Sequence, residues 1–384
     1  MSKLQGERQH FWDGLRALLM LLGIPYHVAL TYRPGKDFIV HSGEGVWGFA
    51  EVSQVIHLFR MPAFFLVAGY FASHLLRRRD PGEWLKGRYT RLGIPFLTCI
   101  VTLVPAMNLA CELSNMPWPQ AIASWRHNSL TSGGYWVRHL WFIIVLLYFC
   151  TAAAAWAAWS SRTGPAAELR VENCWSSRHF VVAASAVLFG VAAWESLALE
   201  AFYVAGLATM VPQQILRLDE VIIYAPWFIL GFVVARSPAS LVRICRFSAA
   251  VAALAVLATV TWLSVHDQVS PMAERFIGTI AAAAITQVFI ATARRFLDRP
   301  MPLVRRLTDA SFVIYLLHLP LITLFVWLAQ PLNLPTEVKA VGVMGLSLGV
   351  SYLFWLGTRR LPRAAPLFDG IMPPASSRLV QSRT

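Results

Sequence analysis

Long apolar runs, separated by short polar or basic segments, dominate the chain from residue 11 to residue 357. A helix needs about 20 mostly apolar residues to cross a bilayer. The pattern predicts ten spans, over residues 11–31, 51–76, 91–112, 137–159, 179–197, 221–235, 247–265, 275–293, 309–330 and 338–357. Strands of a membrane barrel would alternate polar and apolar positions over segments of about 10 residues, and no such segments occur. The expected fold class is an all-α polytopic membrane protein. A single transmembrane domain is expected over residues 1–366, followed by a Pro/Ser-rich, disordered tail at 367–384. Residues 198–220 fit no span and read as an interfacial or re-entrant helix on the outer side.

Composition agrees: 57% of the 384 residues are hydrophobic and 14% charged, with a mean hydropathy of +0.55. A net charge of +13 raises the question of nucleic acid. The basic residues, however, sit in short clusters between apolar runs, without any nucleic-acid-binding motif. That placement follows the positive-inside rule and puts both termini in the cytoplasm. The cytoplasmic pieces are then 1–10, 77–90, 160–178, 236–246, 294–308 and the tail from 358. The short polar start leads into a long span unlike a cleaved leader, so the first span is retained. The cysteines (Cys99, Cys111, Cys150, Cys174 and Cys245) lack C-x-x-C or zinc spacing. No internal repeat supports an inverted-repeat transporter.

Ionisable residues inside spans are costly and mark functional candidates. In "LRALLMLLGIPYH", Arg16 and His27 are eleven residues apart and share one helix face, about 16 Å apart along the axis. Asp13 precedes Arg16 by three residues and can pair with it. His57 and Arg60 lie in the outer half of the second span, at the depth of His27. His139 and Trp141 open the fourth span from the same side, and His318 falls near the middle of the ninth. Each histidine alone is as compatible with packing as with chemistry. As a set at one depth they predict a hydrated pocket. No H-x-x-x-H or Cys partner spacing points to a metal.

Arg88 and Arg91 form an R-x-x-R pair entering the third span. Spaced i,i+3, both guanidiniums can grip a phosphate, aided by helix N-terminal amides. Contact with anionic lipid is the other reading, and it accounts for Arg77, Arg78 and Arg79. Trp47, Trp118, Trp125, Tyr135 and Trp136 suit either an interfacial belt or a sugar face. The Walker A lysine loop is missing.

The fragments "FWDGLRALLMLLGIPYH", "HLFRMPAFFLVAGYF", "RYTRLGIP", "RHLWF", "APWFILG" and "ASFVIYLLHLP", in this order, resemble the acyltransferase-3 family of membrane acyltransferases. They are most similar to its subgroup that succinylates osmoregulated periplasmic glucans. The resemblance runs from about residue 8 to about residue 330. It implies about ten spans, an acyl-CoA donor on the cytoplasmic side and a carbohydrate hydroxyl acceptor outside. It implies that His27 is catalytic, that Arg16 supports it or the donor, and that Arg88 and Arg91 hold phosphates of coenzyme A. For the subgroup it implies succinyl-CoA as donor substrate, with no permanently bound cofactor, and glucose units of a β-glucan as acceptor.

On this reading His57 or Arg60 stabilises the oxyanion, Asp13 fixes Arg16, and Arg60 or Arg16 meets the succinyl carboxylate. His139, Trp141 and His318 support or bind substrate. Expected partners are the periplasmic glucan, acyl-CoA and the bilayer, with a homo-oligomer or glucan-synthesis proteins as further candidates. The alternatives are O-acetylation of another envelope polysaccharide, or a transporter or flippase for an anionic or sugar substrate.

Overall fold

The computed structural model describes residues 10–35, 38–40, 42–43, 45–160, 180–361 and 364–372. Ten long helices follow one another: α1 (His10–Thr31), α2 (Phe49–Leu76), α3 (Pro81–Leu113), α4 (Gly134–Ser160), α5 (Phe180–Val204), α6 (Leu218–Val234), α7 (Ala249–Val265), α8 (Pro271–Leu297), α9 (Pro302–Ala329) and α10 (Thr336–Arg360). There is no strand among the described residues. Eight of the ten are long and apolar enough to cross a membrane on their own. The sixth, taken with the short helix before it, is bent by 116° against Pro238–Ile244, and α7 is shorter. Every expected span therefore has its helix, and the chain is a polytopic membrane protein. Cys174, the loop 161–179 and the tail from 373 lie outside the described residues.

Local chemistry sets the helix ends. Asp80 caps α3, its carboxylate accepting from the Glu83 amide at 3.0 Å, with Pro81 in the first turn. Ser248 and Ser270 cap α7 and α8 in the same way. Interior prolines explain two lapses. Pro25 has no N–H for the Leu21 carbonyl, and α1 loses its regularity at Leu22. Pro105 acts likewise on α3, which breaks at Thr102. The segment 198–220 divides: α5 runs on to Val204, and a short helix, Val211–Leu216, leads into α6.

α2 is apolar all round and lies at the centre, with Phe65, Leu66 and Val67 fully buried. It crosses α6 at van der Waals contact through a pair of glycines. A Cβ at Gly69 would overlap the Phe228 carbonyl, and one at Gly231 would overlap the Leu66 carbonyl. Small residues at such a crossing let helices pack where lipid supplies no hydrophobic drive. Of the eight helices long enough to span alone, α5 and α10 are the least buried, at 17% and 28%, and form outer edges of the bundle. Beyond α10 a short helix, Ala365–Phe368, packs on α3, with Phe368 edge-on to Phe354 at 4.9 Å.

Candidate active site

The break in α1 shapes the site. Gly23 lies just past it, and a Cβ there would stand 2.9 Å from Arg60 Nη1 and 3.1 Å from His318 Nε2. The missing side chain lets a guanidinium from α2 and an imidazole from α9 reach the backbone of α1. One turn further along α1, His27 faces His318, ring centroids 5.1 Å apart. His139, from the irregular start of α4, stands 5.5 Å from His318.

These side chains line a cavity of about 340 Å³ between α1, α2, α4 and α9. His57 and Trp141 lie on its wall as well. Three imidazoles are deeply buried, with exposures of 8% for His27, 6% for His139 and 1% for His318, whereas His57 is exposed. Such burial of titratable rings is expensive in a membrane protein and favours a functional reading.

Hydrogen bonds fix two ring tautomers. His318 Nδ1 lies 2.5 Å from the Tyr315 carbonyl, which can only accept, so Nδ1 carries the proton. Its Nε2 is then a lone pair, buried without a hydrogen-bond partner beside Arg60. His139 donates from Nε2 to the Leu316 carbonyl at 3.2 Å, leaving Nδ1 as its lone pair. The Tyr315 hydroxyl ties the two helices together by donating to the His139 carbonyl. His27 Nδ1 is likewise buried without a partner.

Arg60 is 9% exposed and sits over the Tyr26 ring, 4.7 Å from its centroid. Tyr26 also stacks with His57 at 5.6 Å. A guanidinium over an aromatic face gains about 0.5–2 kcal/mol, a small offset to its desolvation. No carboxylate lies within 4.0 Å of Arg60 among the described residues. The cavity's acid, Glu220, pairs with Arg217, which in turn lies 6.0 Å over Trp141.

Asp13, Arg16, Arg88 and Arg91 do not reach this cavity. They belong to a second, basic group. Arg88 lies over Trp84 at 5.3 Å and within electrostatic range of Arg16, Arg79 and Arg91. Arg16 lies over Phe71 at 5.5 Å, about three turns further along α2 than Arg60. Asp13 sits one turn before it, its carbonyl accepting from the Thr308 hydroxyl at 3.3 Å. The Asp80–Pro81 cap starts α3 two turns before Arg88. The arginine pair therefore projects from the side of a helix, without the N-terminal amides expected beside it. Gly370, at φ 63°, lays the C-terminal segment against the Arg91 backbone.

The wall also holds Tyr26, Arg138, Glu220 and Tyr315, none of which the sequence singled out. Tyr315 alone carried a signal, as the residue three before His318 in the helical run. Among the described residues, one three-ligand cluster has metal-like spacing: His266, Asp267 and Glu274. It lies at the α7–α8 turn, and none of it lines the cavity.

The chain matches the acyltransferase domain of the acyltransferase-3 family over residues 9–356. Similar proteins include glucans biosynthesis protein C of Salmonella typhimurium (strain LT2), 28% identical over 97% of both chains. The protein of the same name from Salmonella paratyphi A (strain ATCC 9150) is 27% identical, again over 97% of both. No solved structure matches the chain. With the family match running from residue 9 to residue 356, across the apolar helices and the histidine-lined cavity that five of them form, the chain is a member of the acyltransferase-3 family of membrane acyltransferases.

Proposed function

We propose that this protein moves a succinyl group from cytoplasmic succinyl-CoA to glucose hydroxyls of osmoregulated periplasmic glucans, with His27 as general base. The observation that carries the reading is the pairing of His27 with His318 and Arg60 on the wall of one cavity. The glucan acceptor rests on the name of the similar proteins, and the succinyl donor on the resemblance of the motifs to the succinylating subgroup.

The layout fits a donor entering from one side. Coenzyme A phosphates sit at the basic group of Arg88, Arg91 and Arg16, with Asp13 one turn below Arg16. The pantetheine arm runs beside α1 toward His27, a distance of about 16 Å along the helix. On this reading both termini lie in the cytoplasm, which the clustering of basic residues supports.

In the cavity a glucosyl oxygen attacks the thioester carbon while His27 takes its proton. Arg60 faces the oxyanion of the tetrahedral intermediate. Collapse breaks the C–S bond, and the proton on His27 passes to the leaving thiolate. The products are a succinyl ester and free coenzyme A. His318 and His139 hold His27 and the wall in place, while His57 and Trp141 stand where the acceptor sugar enters. No metal takes part in this scheme.

Purified protein in liposomes, given labelled succinyl-CoA and periplasmic glucan, should transfer label to the glucan. Label from acetyl-CoA alone would replace the donor and keep the site. Label from neither would return the protein to the transporter reading.

A further inference from the structure

The geometry points to Arg138 as a carboxylate subsite: its guanidinium holds the free carboxylate of a dicarboxylic acyl group while the thioester end reacts beside His27. This inference rests on the succinyl-donor reading and specifies how that donor is selected.

The cavity wall carries two guanidiniums, Arg60 and Arg138. Neither has a carboxylate within 4.0 Å among the described residues, whereas the wall's one acid, Glu220, is committed to Arg217. Among the described residues the wall thus carries a positive excess inside the membrane, which an anionic ligand would offset. The short-lived oxyanion accounts for one cation. Arg60 serves it, because its Nη1 and His318 Nε2 converge on Gly23, one turn from His27.

Arg138 is left over, and it is held for a different task. Its Nε donates to Asn108 Oδ1 at 2.7 Å, and Asn108 Nδ2 donates to the Tyr135 carbonyl at 2.7 Å. The Tyr135 ring lies beneath the guanidinium at 4.6 Å, and its hydroxyl donates to Glu112 at 2.8 Å. With Nε occupied, the two Nη groups are the edge left for a ligand. That edge offers the parallel N–H pair that matches a carboxylate end-on. The backbone holds this presentation at φ 45°, a conformation that non-glycine residues seldom adopt. Arg16, the other cation considered for the succinyl carboxylate, is not on the cavity wall.

The test is competition between succinyl-CoA and acetyl-CoA in proteoliposomes, comparing wild type with Arg138→Gln and Arg138→Lys. Wild type should favour succinyl-CoA. Arg138→Gln should lower the succinyl-to-acetyl ratio of kcat/KM by about 30- to 100-fold, mainly through the KM for succinyl-CoA. Arg138→Lys, which keeps the charge but not the paired donors, should fall between them. An equal loss for both donors would make Arg138 a structural residue and overturn the subsite. Wild type that transfers acetyl but no succinyl would instead remove the donor reading itself.

Discussion

His27 and His318, from helices at opposite ends of the chain, face each other with ring centroids 5.1 Å apart. His318 is locked by the Tyr315 carbonyl with its lone pair turned toward Arg60 and Gly23. His27 stacks on Phe38 at 5.6 Å on the cavity wall. One ring is thus pinned by a hydrogen bond and the other is held by ring contacts beside the substrate space. A base that must accept and return a proton suits the second position.

Gly23 is the joint on which this pairing depends. Gly23→Ala should favour the helix intrinsically, by up to about 1 kcal/mol. Its Cβ would press on Arg60 Nη1 at 2.9 Å and His318 Nε2 at 3.1 Å. Both side chains must give way, and a misplacement of about 1 Å at a reacting centre costs on the order of a hundredfold in rate, so smaller shifts here cost up to that. Turnover should fall 10- to 100-fold while the melting temperature in detergent stays level or rises. Unchanged turnover would mean that Arg60 and His318 need not meet at α1.

Arg60→Gln removes the charge that faces the oxyanion. A loss of about 100-fold or more in kcat is expected, in line with oxyanion donors elsewhere, with little change in the KM for acyl-CoA. A variant that altered KM alone would move Arg60 from transition-state stabilisation to donor binding.

Arg88→Ala and Arg91→Ala should each raise the KM for acyl-CoA about tenfold, the equivalent of about 1.4 kcal/mol, and leave kcat intact. An acyl-pantetheine donor, which lacks the nucleotide phosphates, should be used equally well by wild type and both variants. If the two donors respond alike, these arginines serve topology or lipid contact rather than coenzyme A.

The α2–α6 crossing is a stability element. Gly231→Ala sets a methyl group against the Leu66 carbonyl, where no flexible side chain can yield. The helices must separate, at a cost of about 3 kcal/mol. Thermal unfolding in detergent should register a clear drop, whereas Gly87→Ala, which meets nothing within 4 Å, should not. Equal melting temperatures would show that the crossing is looser than described.

The spans were legible because lipid demands long apolar runs, and the His27, Arg60 and His318 set stood out because charge in such runs is rare. What escaped depends on tertiary approach. Gly23 looks like any interior glycine until Arg60 and His318 arrive from α2 and α9. Arg138 reads as an interfacial arginine, since nothing in "RHLWF" announces a left-handed φ at an arginine. Glu220 was hidden in a stretch with no clear span, and its place on the wall follows from the turn at Arg217. The Arg88–Arg91 pair was visible, but its setting was not, because the Asp80–Pro81 cap starts α3 nearly three turns earlier than the apolar run suggests.

The central claim is that His27 is the base. The direct measurement is single-turnover transfer of labelled acyl group from acyl-CoA to glucan in proteoliposomes, for wild type and His27→Ala at equal, folded amounts. The account predicts a drop of about 10²- to 10⁴-fold, the usual contribution of a general base, with acyl-CoA binding retained. Transfer by His27→Ala at the wild-type rate would contradict it and shift the chemistry to His318 or His57.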